Sequence, residues 1–418
     1  MPLFLRCAVL WQPALPDRYL DATEDALGDA IARRRRELGA SLIILGHHYQ
    51  QDEVIRHADF TGDSLRLSQL AAAEAERRGA RTIVFCGVHF MAETADILTE
   101  ESVRVVLPDL SAGCSMADMA AYDDAVEAWE RIHAALAGDA RTRRVRVVPI
   151  TYVNSSAAIK AFVGEHGGAC CTSSNAGEVF DWALSGGTAP LAPDERVALL
   201  FLPDQHLGRN TASARGFLTE IDEAAGRGRS ECVLYDPRRP DGGVDDERLR
   251  EAKVILWAGH CSVHKLFRPE HVDALRSEYA HRGGITVLVH PECAKEVVDN
   301  ADLSGSTEYI IRTIEHAPAG SNWAVGTEVH LVNRLARAAA QRGVHVRIVS
   351  DCQCLCTTMF RIDQAHLLWS LDHLAEGRIV NQVSVHPKAR SLARLALDRM
   401  LANVAGRPVA VKGAALVD

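Results

Sequence analysis

The sequence predicts an α/β protein of three similar αβα domains, with parallel sheets set around a pseudo-threefold axis and the functional site at the centre. Three observations carry that expectation. Runs of β-branched and apolar residues alternate with helix-compatible stretches, the pattern of parallel sheets joined by crossover helices. The same order of pieces recurs three times along the chain. Each recurrence closes shortly before a cysteine, at Cys114, Cys261 and Cys356.

Residues 1–40 read as a helical lead-in, 41–125, 126–270 and 271–375 as the three units, and 376–418 as a C-terminal tail. The first unit opens with the strand Leu42 to Leu45, which runs out into Gly46, His47, His48, Tyr49 and Gln50. The second opens with Val145 to Ile150 and runs out into Tyr152, Val153 and Asn154. The third opens with Ile285 to Val289 and runs out into His290, Pro291, Glu292 and Cys293. A turn rich in small hydroxyl residues follows each opening: Gly62 to Ser64, Cys171 to Asn175, and Ser304 to Thr307. Each turn precedes a helix, so its hydroxyls and amides either cap that helix, the commoner use, or hold an anion there.

Second strands are expected at Thr82 to Phe85, Val197 to Leu202 and Trp323 to Val325. Third strands follow at Val103 to Leu107, Val254 to Trp257 and Val344 to Val349. From Tyr49 to Cys114 is 65 residues and from His290 to Cys356 is 66, whereas from Tyr152 to Cys261 is 109. The excess falls largely in residues 208–251, rich in Gly, Arg, Asp and Pro, which reads as an inserted surface excursion.

Composition narrows the function. The chain has 418 residues, 47% of them hydrophobic and 24% charged, enough for more than one core and without a run able to span a bilayer. A net charge of −9 argues against a nucleic-acid partner, which needs clustered Lys and Arg. The one basic run, Arg33 to Arg36, falls late in a helical stretch, where positive charge complements the helix C-terminus. The first ten residues make a poor signal peptide. Eleven cysteines in so long a chain suit a reducing cytoplasm better than a disulfide framework.

In open α/β sheets, ligands bind beyond the carboxyl ends of the strands. Those ends carry His47, Tyr49, Tyr152, Asn154, His290 and Glu292, besides the cysteines. Three thiolates can hold three irons of a four-iron, four-sulfur cluster and leave the fourth iron open as a Lewis acid. Two other readings of the thiols stand beside this one. Buried cysteine is a common core residue, and zinc held by Cys352, Cys354 and Cys356 is a second possibility, with poorer geometry than a CxxC turn.

Ten stretches together resemble the quinolinate synthase family, iron–sulfur enzymes of de novo NAD biosynthesis. They are Gly46–Gln50, Gly62–Ser64, Leu107–Asp118, Tyr152–Asn154, Cys171–Ala176, Leu202–Gly208, His260–His264, His290–Cys293, Gly305–Thr307 and Val325–Glu328, in family order. The resemblance implies three αβα domains around a central site. It also implies a [4Fe-4S] cluster held by Cys114, Cys261 and Cys356, the last favoured because it stands three residues before Met359. The chain departs from the family pattern at Thr357, where Pro is frequent.

By the same resemblance the substrates are iminosuccinate and dihydroxyacetone phosphate, with an aspartate oxidase or dehydrogenase as functional partner. Tyr49 and Glu292 are the expected acid–base pair, and His47 and His290 bind a carboxylate or phosphate and polarise a carbonyl. Ser64, Ser173, Ser306 and Thr307 supply hydroxyls and helix-start amides. Tyr152, Val153, Asn154 and Pro291 complete the substrate contacts. Two rivals are a radical enzyme of the diphthamide-synthesis type, which shares the three-cysteine plan, and a non-catalytic iron–sulfur or zinc protein. The paired His, Tyr and Glu residues at the strand ends favour a small acidic substrate over both.

Overall fold

The computed structural model describes residues 12–137, 144–351 and 354–404, so Cys7 and Cys352 lie outside the described residues. The chain divides into two compact units. One comprises Met1–Cys114 with Cys356–Ser384, the other Ser115–Leu355 with Val385–Asp418.

The first unit holds one sheet. Its strands are β1 (Leu42–His47), β2 (Phe60–Gly62), β3 (Thr82–Cys86) and β4 (Arg104–Val106), in the spatial order β2-β1-β3-β4 and all parallel. Every residue of β1 is buried, as its unbroken Leu-Ile-Ile-Leu run requires of a strand covered on both faces. A short strand from the C-terminal region, Gln382–Val383, adds antiparallel to β4. The helix Glu24–Leu38 is capped by Thr23 and carries Arg35 and Arg36 in its last turn. Arg34 pairs with Asp372 at 2.7 Å and Arg35 with Asp59 at 2.8 Å, so the basic run is a helix terminus with ion pairs.

The second unit holds two sheets. One comprises β5 (Arg144–Tyr152), β6 (Ala169–Cys171), β7 (Glu195–Leu202), β8 (Cys232–Tyr235) and β9 (Val254–Trp257), ordered β6-β5-β7-β9-β8. The other comprises β10 (Thr286–Val289), β11 (Leu303–Ser304), β12 (Asn322–Gly326) and β13 (His345–Ile348), ordered β11-β10-β12-β13. All their strand pairs are parallel.

The chain is therefore an α/β protein whose three sheets share one topology. In each, the opening strand lies inside the sheet, the next strand lies on its outer side, and the later parallel strands follow on the other, three in the sheet opened by β5 and two in the others. Register repeats too: His47 pairs with Gly62, Tyr152 with Cys171 and Val289 with Ser304. Each opening strand thus ends directly beside the start of its hydroxyl turn.

Two features differ from expectation. The short strands β2, β6 and β11 lead into the hydroxyl turns and were not expected from the sequence. Residues 208–251 are also more than a surface excursion. They include the rest of the helix Gln205–Ala214, the helices Glu220–Ala224 and Asp246–Glu251, and β8, which joins the sheet beside β9. The helix Pro387–Val404 packs on Ala157–Glu165 so closely that a Cβ at Gly164 would lie 1.9 Å from the Leu392 carbonyl oxygen. Among the described residues, no helix is long and apolar enough to cross a membrane.

Candidate active site

In the second unit the chemistry gathers on Glu292, three residues beyond the end of β10. Its side chain is buried, and a buried carboxylate must be paired. The Tyr152 hydroxyl, at the end of β5, donates to Oε1 at 2.5 Å. His264 Nδ1 meets Oε2 at 2.8 Å, and His264 Nε2 reaches Thr327 Oγ1 at 3.1 Å. The His264 and His290 rings stack with centroids 4.5 Å apart. Asn210 donates to the carbonyls of Pro291 and Cys293 at 2.8 and 2.9 Å, which fixes the turn that carries the carboxylate.

His290 is also buried. Its Nδ1 accepts from the Glu292 amide at 3.3 Å, so the ring proton sits on Nε2, which faces Ser173 Oγ at 3.2 Å. The same local device recurs in the first unit, where the Tyr49 amide donates to His47 Nδ1 at 3.1 Å. The two groups expected as acid and base, Tyr49 and Glu292, thus stand at equivalent places in two repeats, each two residues beyond a histidine that accepts from its amide.

Electrostatics separate these groups. Burial alone would raise the Glu292 pKa, but the His264 and His290 rings and the Tyr152 hydroxyl reverse the sign and hold it well below the usual carboxylate range. Burial pushes His290 down to about 3 against the opposing pull of Glu292, so its imidazole is neutral at neutral pH. Burial, then the Arg209, His260 and Lys265 charges, pushes His206 down to about 3.

A pH dependence of stability follows. His57, pushed down to about 4 by burial and by Arg56 and Arg35, titrates like His206 and His290 well below the unfolded value of 6.5. As the pH falls, the unfolded chain takes up protons that the folded chain does not. The stability these three confer is full above about pH 6.5 and is lost toward the folded values, at up to about 1.4 kcal/mol per pH unit for each. Asp204, whose pKa is raised first by burial and then by Glu292, works in the opposite direction and offsets part of this. The melting temperature is expected to fall between pH 7 and pH 5. A flat profile would contradict these assignments.

Several buried polar atoms at the same strand ends have no hydrogen-bond partner: Asn154 Oδ1, Asn175 Nδ2, Asp204 Oδ2 and His206 Nδ1. Such atoms are costly inside a protein unless something meets them. Asn154 was expected here. His264, Thr327, Asp204, Asn175 and His206 were present in the matching stretches but had no role assigned. Only contacts between residues distant in sequence reveal them. Val153 is buried, and its amide donates to the Cys171 carbonyl at 2.8 Å. Ser306 caps its helix by accepting from the Tyr309 amide at 3.4 Å, and Thr307 is that helix's first residue.

In the first unit three loops are tied to one another. Gln50, beside Tyr49, donates to the Met359 carbonyl at 3.1 Å, and Gln51 to that of Ile362 at 3.0 Å. Arg361 donates to Ser111 Oγ at 3.1 Å, and Asp109 holds the Ser111 amide at 2.7 Å. The turns carrying Tyr49, Cys114 and Cys356 are thereby linked. His47 is buried and its ring meets Tyr49 edge-on at 4.7 Å. Ser64 opens the helix Ser64–Arg78, with Asp63 as the cap.

The thiols divide by exposure. Among the described residues Cys86, Cys170, Cys171, Cys232, Cys293 and Cys354 are buried, while Cys114, Cys261 and Cys356 are half-buried. The three half-buried thiols are the three expected as ligands. Cys261 Sγ, a ring nitrogen of His264 and an oxygen of Glu292 all lie within 4.8 Å of one another. His264 and Glu292 are engaged with each other, and a cysteine sulfur is a soft donor of the kind that iron–sulfur clusters take.

Residues 29–402 match the family model described as Quinolinate synthetase A protein. The quinolinate synthase of Acidobacterium capsulatum is 52% identical over 385 residues, covering 92% of this chain and 95% of the relative. Those of a Nocardioides species and of Streptomyces coelicolor are each 50% identical, over 383 and 377 residues. They cover 91% and 90% of this chain, and 90% and 88% of the relatives. With a family match across most of its length and relatives at half identity, the chain belongs to the quinolinate synthetase A protein family.

Proposed function

We propose that this chain is a quinolinate synthase. It condenses iminosuccinate with dihydroxyacetone phosphate to give quinolinate, phosphate and two waters. Besides family membership, the observation that carries this reading is the juxtaposition of Cys261, His264 and Glu292 within 4.8 Å. It sets a half-buried thiol beside a buried, hydrogen-bonded carboxylate. In this reading Cys114, Cys261 and Cys356 hold one [4Fe-4S] cluster, and the three repeats are arranged about a pseudo-threefold axis. When bound, the cluster supplies an open iron, a Lewis acid for a carboxylate or hydroxyl oxygen.

The chain's own groups bind substrate and move protons. Glu292, ionised and held by His264 and Tyr152, takes a proton from substrate carbon. Tyr49 returns one to a departing oxygen. His290, neutral with its proton on Nε2, donates to a carbonyl or carboxylate oxygen without adding charge. His47 has the same Nδ1 arrangement and the same role in its own repeat. Ser64, Ser173, Ser306 and Thr307, at or near the starts of their helices, offer donors to the carboxylates and the phosphate. Asn154 orients the substrate with its buried Oδ1, while Val153 and Pro291 shape the turns around it.

An aspartate oxidase or dehydrogenase in the same reducing cytoplasm supplies the short-lived imine. Formation of quinolinate from the two substrates by the anaerobically prepared chain tests the reading. A chain that makes none, but cleaves S-adenosylmethionine, would instead be a radical enzyme.

A further inference from the structure

Asp204 stands two residues beyond the end of β7 and is fully buried. Its Oδ1 caps the helix Gln205–Ala214, accepting from the amides of His206 at 2.7 Å and Leu207 at 3.1 Å. Its Oδ2 is buried and meets no partner. A cap needs one oxygen, and serine or asparagine would serve as well. The second oxygen is therefore an uncompensated cost to the folded chain, of the kind that marks a group waiting for a ligand. Its surroundings locate it: Asp204 lies within electrostatic reach of Glu292, of Cys171 at the end of β6, and of Cys293 beside Glu292.

We propose that Asp204 is a further substrate-contacting residue, its Oδ2 hydrogen-bonded to an oxygen of the bound dicarboxylate. This rests on the reading of the site as a quinolinate synthase. Two buried carboxyl groups within electrostatic reach of each other resist ionising together. Glu292 is the one held as an anion, by Tyr152 and His264. Burial and then the Glu292 charge push the Asp204 pKa well up. A carboxyl group that holds its proton presents the unmet Oδ2 as an O–H donor, suited to a substrate oxygen rather than to an imine N–H.

Two substitutions separate this role from capping. Asp204→Ser keeps a cap oxygen but loses the second polar atom. Asp204→Asn keeps the cap and places an N–H donor where Oδ2 was. With cluster content matched, Asp204→Ser is expected to lose about a hundredfold in kcat/KM, and Asp204→Asn no more than about tenfold. Quinolinate, used as the probe, should raise the melting temperature of the wild type and of Asp204→Asn, and raise that of Asp204→Ser much less. The melting temperatures without ligand should stay close to that of the wild type, since both variants keep the cap.

A purely structural role predicts otherwise: both variants keep the cap, Asp204→Ser is fully active, and quinolinate raises its melting temperature as much as that of the wild type. That result would overturn the proposal, as would Asp204→Ser retaining kcat/KM within about threefold of wild type. A wild-type chain that makes no quinolinate sinks the functional reading and this inference with it. An active wild type with an equally active Asp204→Ser sinks this inference alone.

Discussion

Cys261→Ser is expected to abolish quinolinate formation, a loss of at least about a thousandfold, together with the brown iron–sulfur chromophore. Cys114→Ser and Cys356→Ser should do the same, because a cluster with three protein ligands does not survive with two. The control is Cys354→Ser. Cys354 is fully buried and its carbonyl accepts from the Val329 amide at 3.1 Å, so it is a core residue by position. Its replacement places a hydroxyl at a fully buried position and should lower stability, by about 1–3 kcal/mol, while the folded protein keeps its iron and its activity. Iron and sulfide analysis with a quinolinate assay on all four variants checks this. Loss of the cluster in Cys354→Ser with its retention in Cys356→Ser would reassign the third ligand.

The second large effect is expected at Glu292. Glu292→Gln keeps the size and much of the hydrogen bonding but removes the proton acceptor, and kcat should fall by about 10²–10⁴ with iron content unchanged. Tyr152→Phe is the milder companion. It removes the 2.5 Å hydrogen bond to Oε1, so the Glu292 pKa rises and the acidic limb of the kcat profile moves to higher pH. An unshifted acidic limb in Tyr152→Phe would mean that Glu292 is not the group titrating there. Full activity in Glu292→Gln would remove it from the chemistry.

Much of this architecture was legible before any coordinates. Runs such as Leu42 to Leu45 and Val254 to Trp257 are long and apolar enough to mark buried strands, and their recurrence pointed to the three parallel sheets. The strands that escaped notice are the short ones. Phe60–Gly62, Ala169–Cys171 and Leu303–Ser304 span two or three residues, too few to display a period, and only pairing with the opening strand makes them strands. Cys232–Tyr235 lies within a stretch whose Gly, Pro and charged residues outweigh four apolar positions.

The site divides in the same way. Tyr152, His290 and Glu292 stand where strands run out, a place that sequence can point to. His264 does not: its importance comes from a hydrogen bond to a residue 28 positions away. Asp204 sits inside a matching stretch, yet nothing in the order of residues says that one of its oxygens goes unmet.

The proposed chemistry needs a cluster with an open corner next to an ionised Glu292. The most direct measurement is iron and sulfide content with cluster spectroscopy on the anaerobically purified chain, before and after adding dihydroxyacetone phosphate or quinolinate. About four irons and four sulfides per chain, with a spectrum that changes when ligand is added, is the predicted result. A colourless zinc-bound chain, or a cluster whose spectrum ignores both ligands, would contradict it.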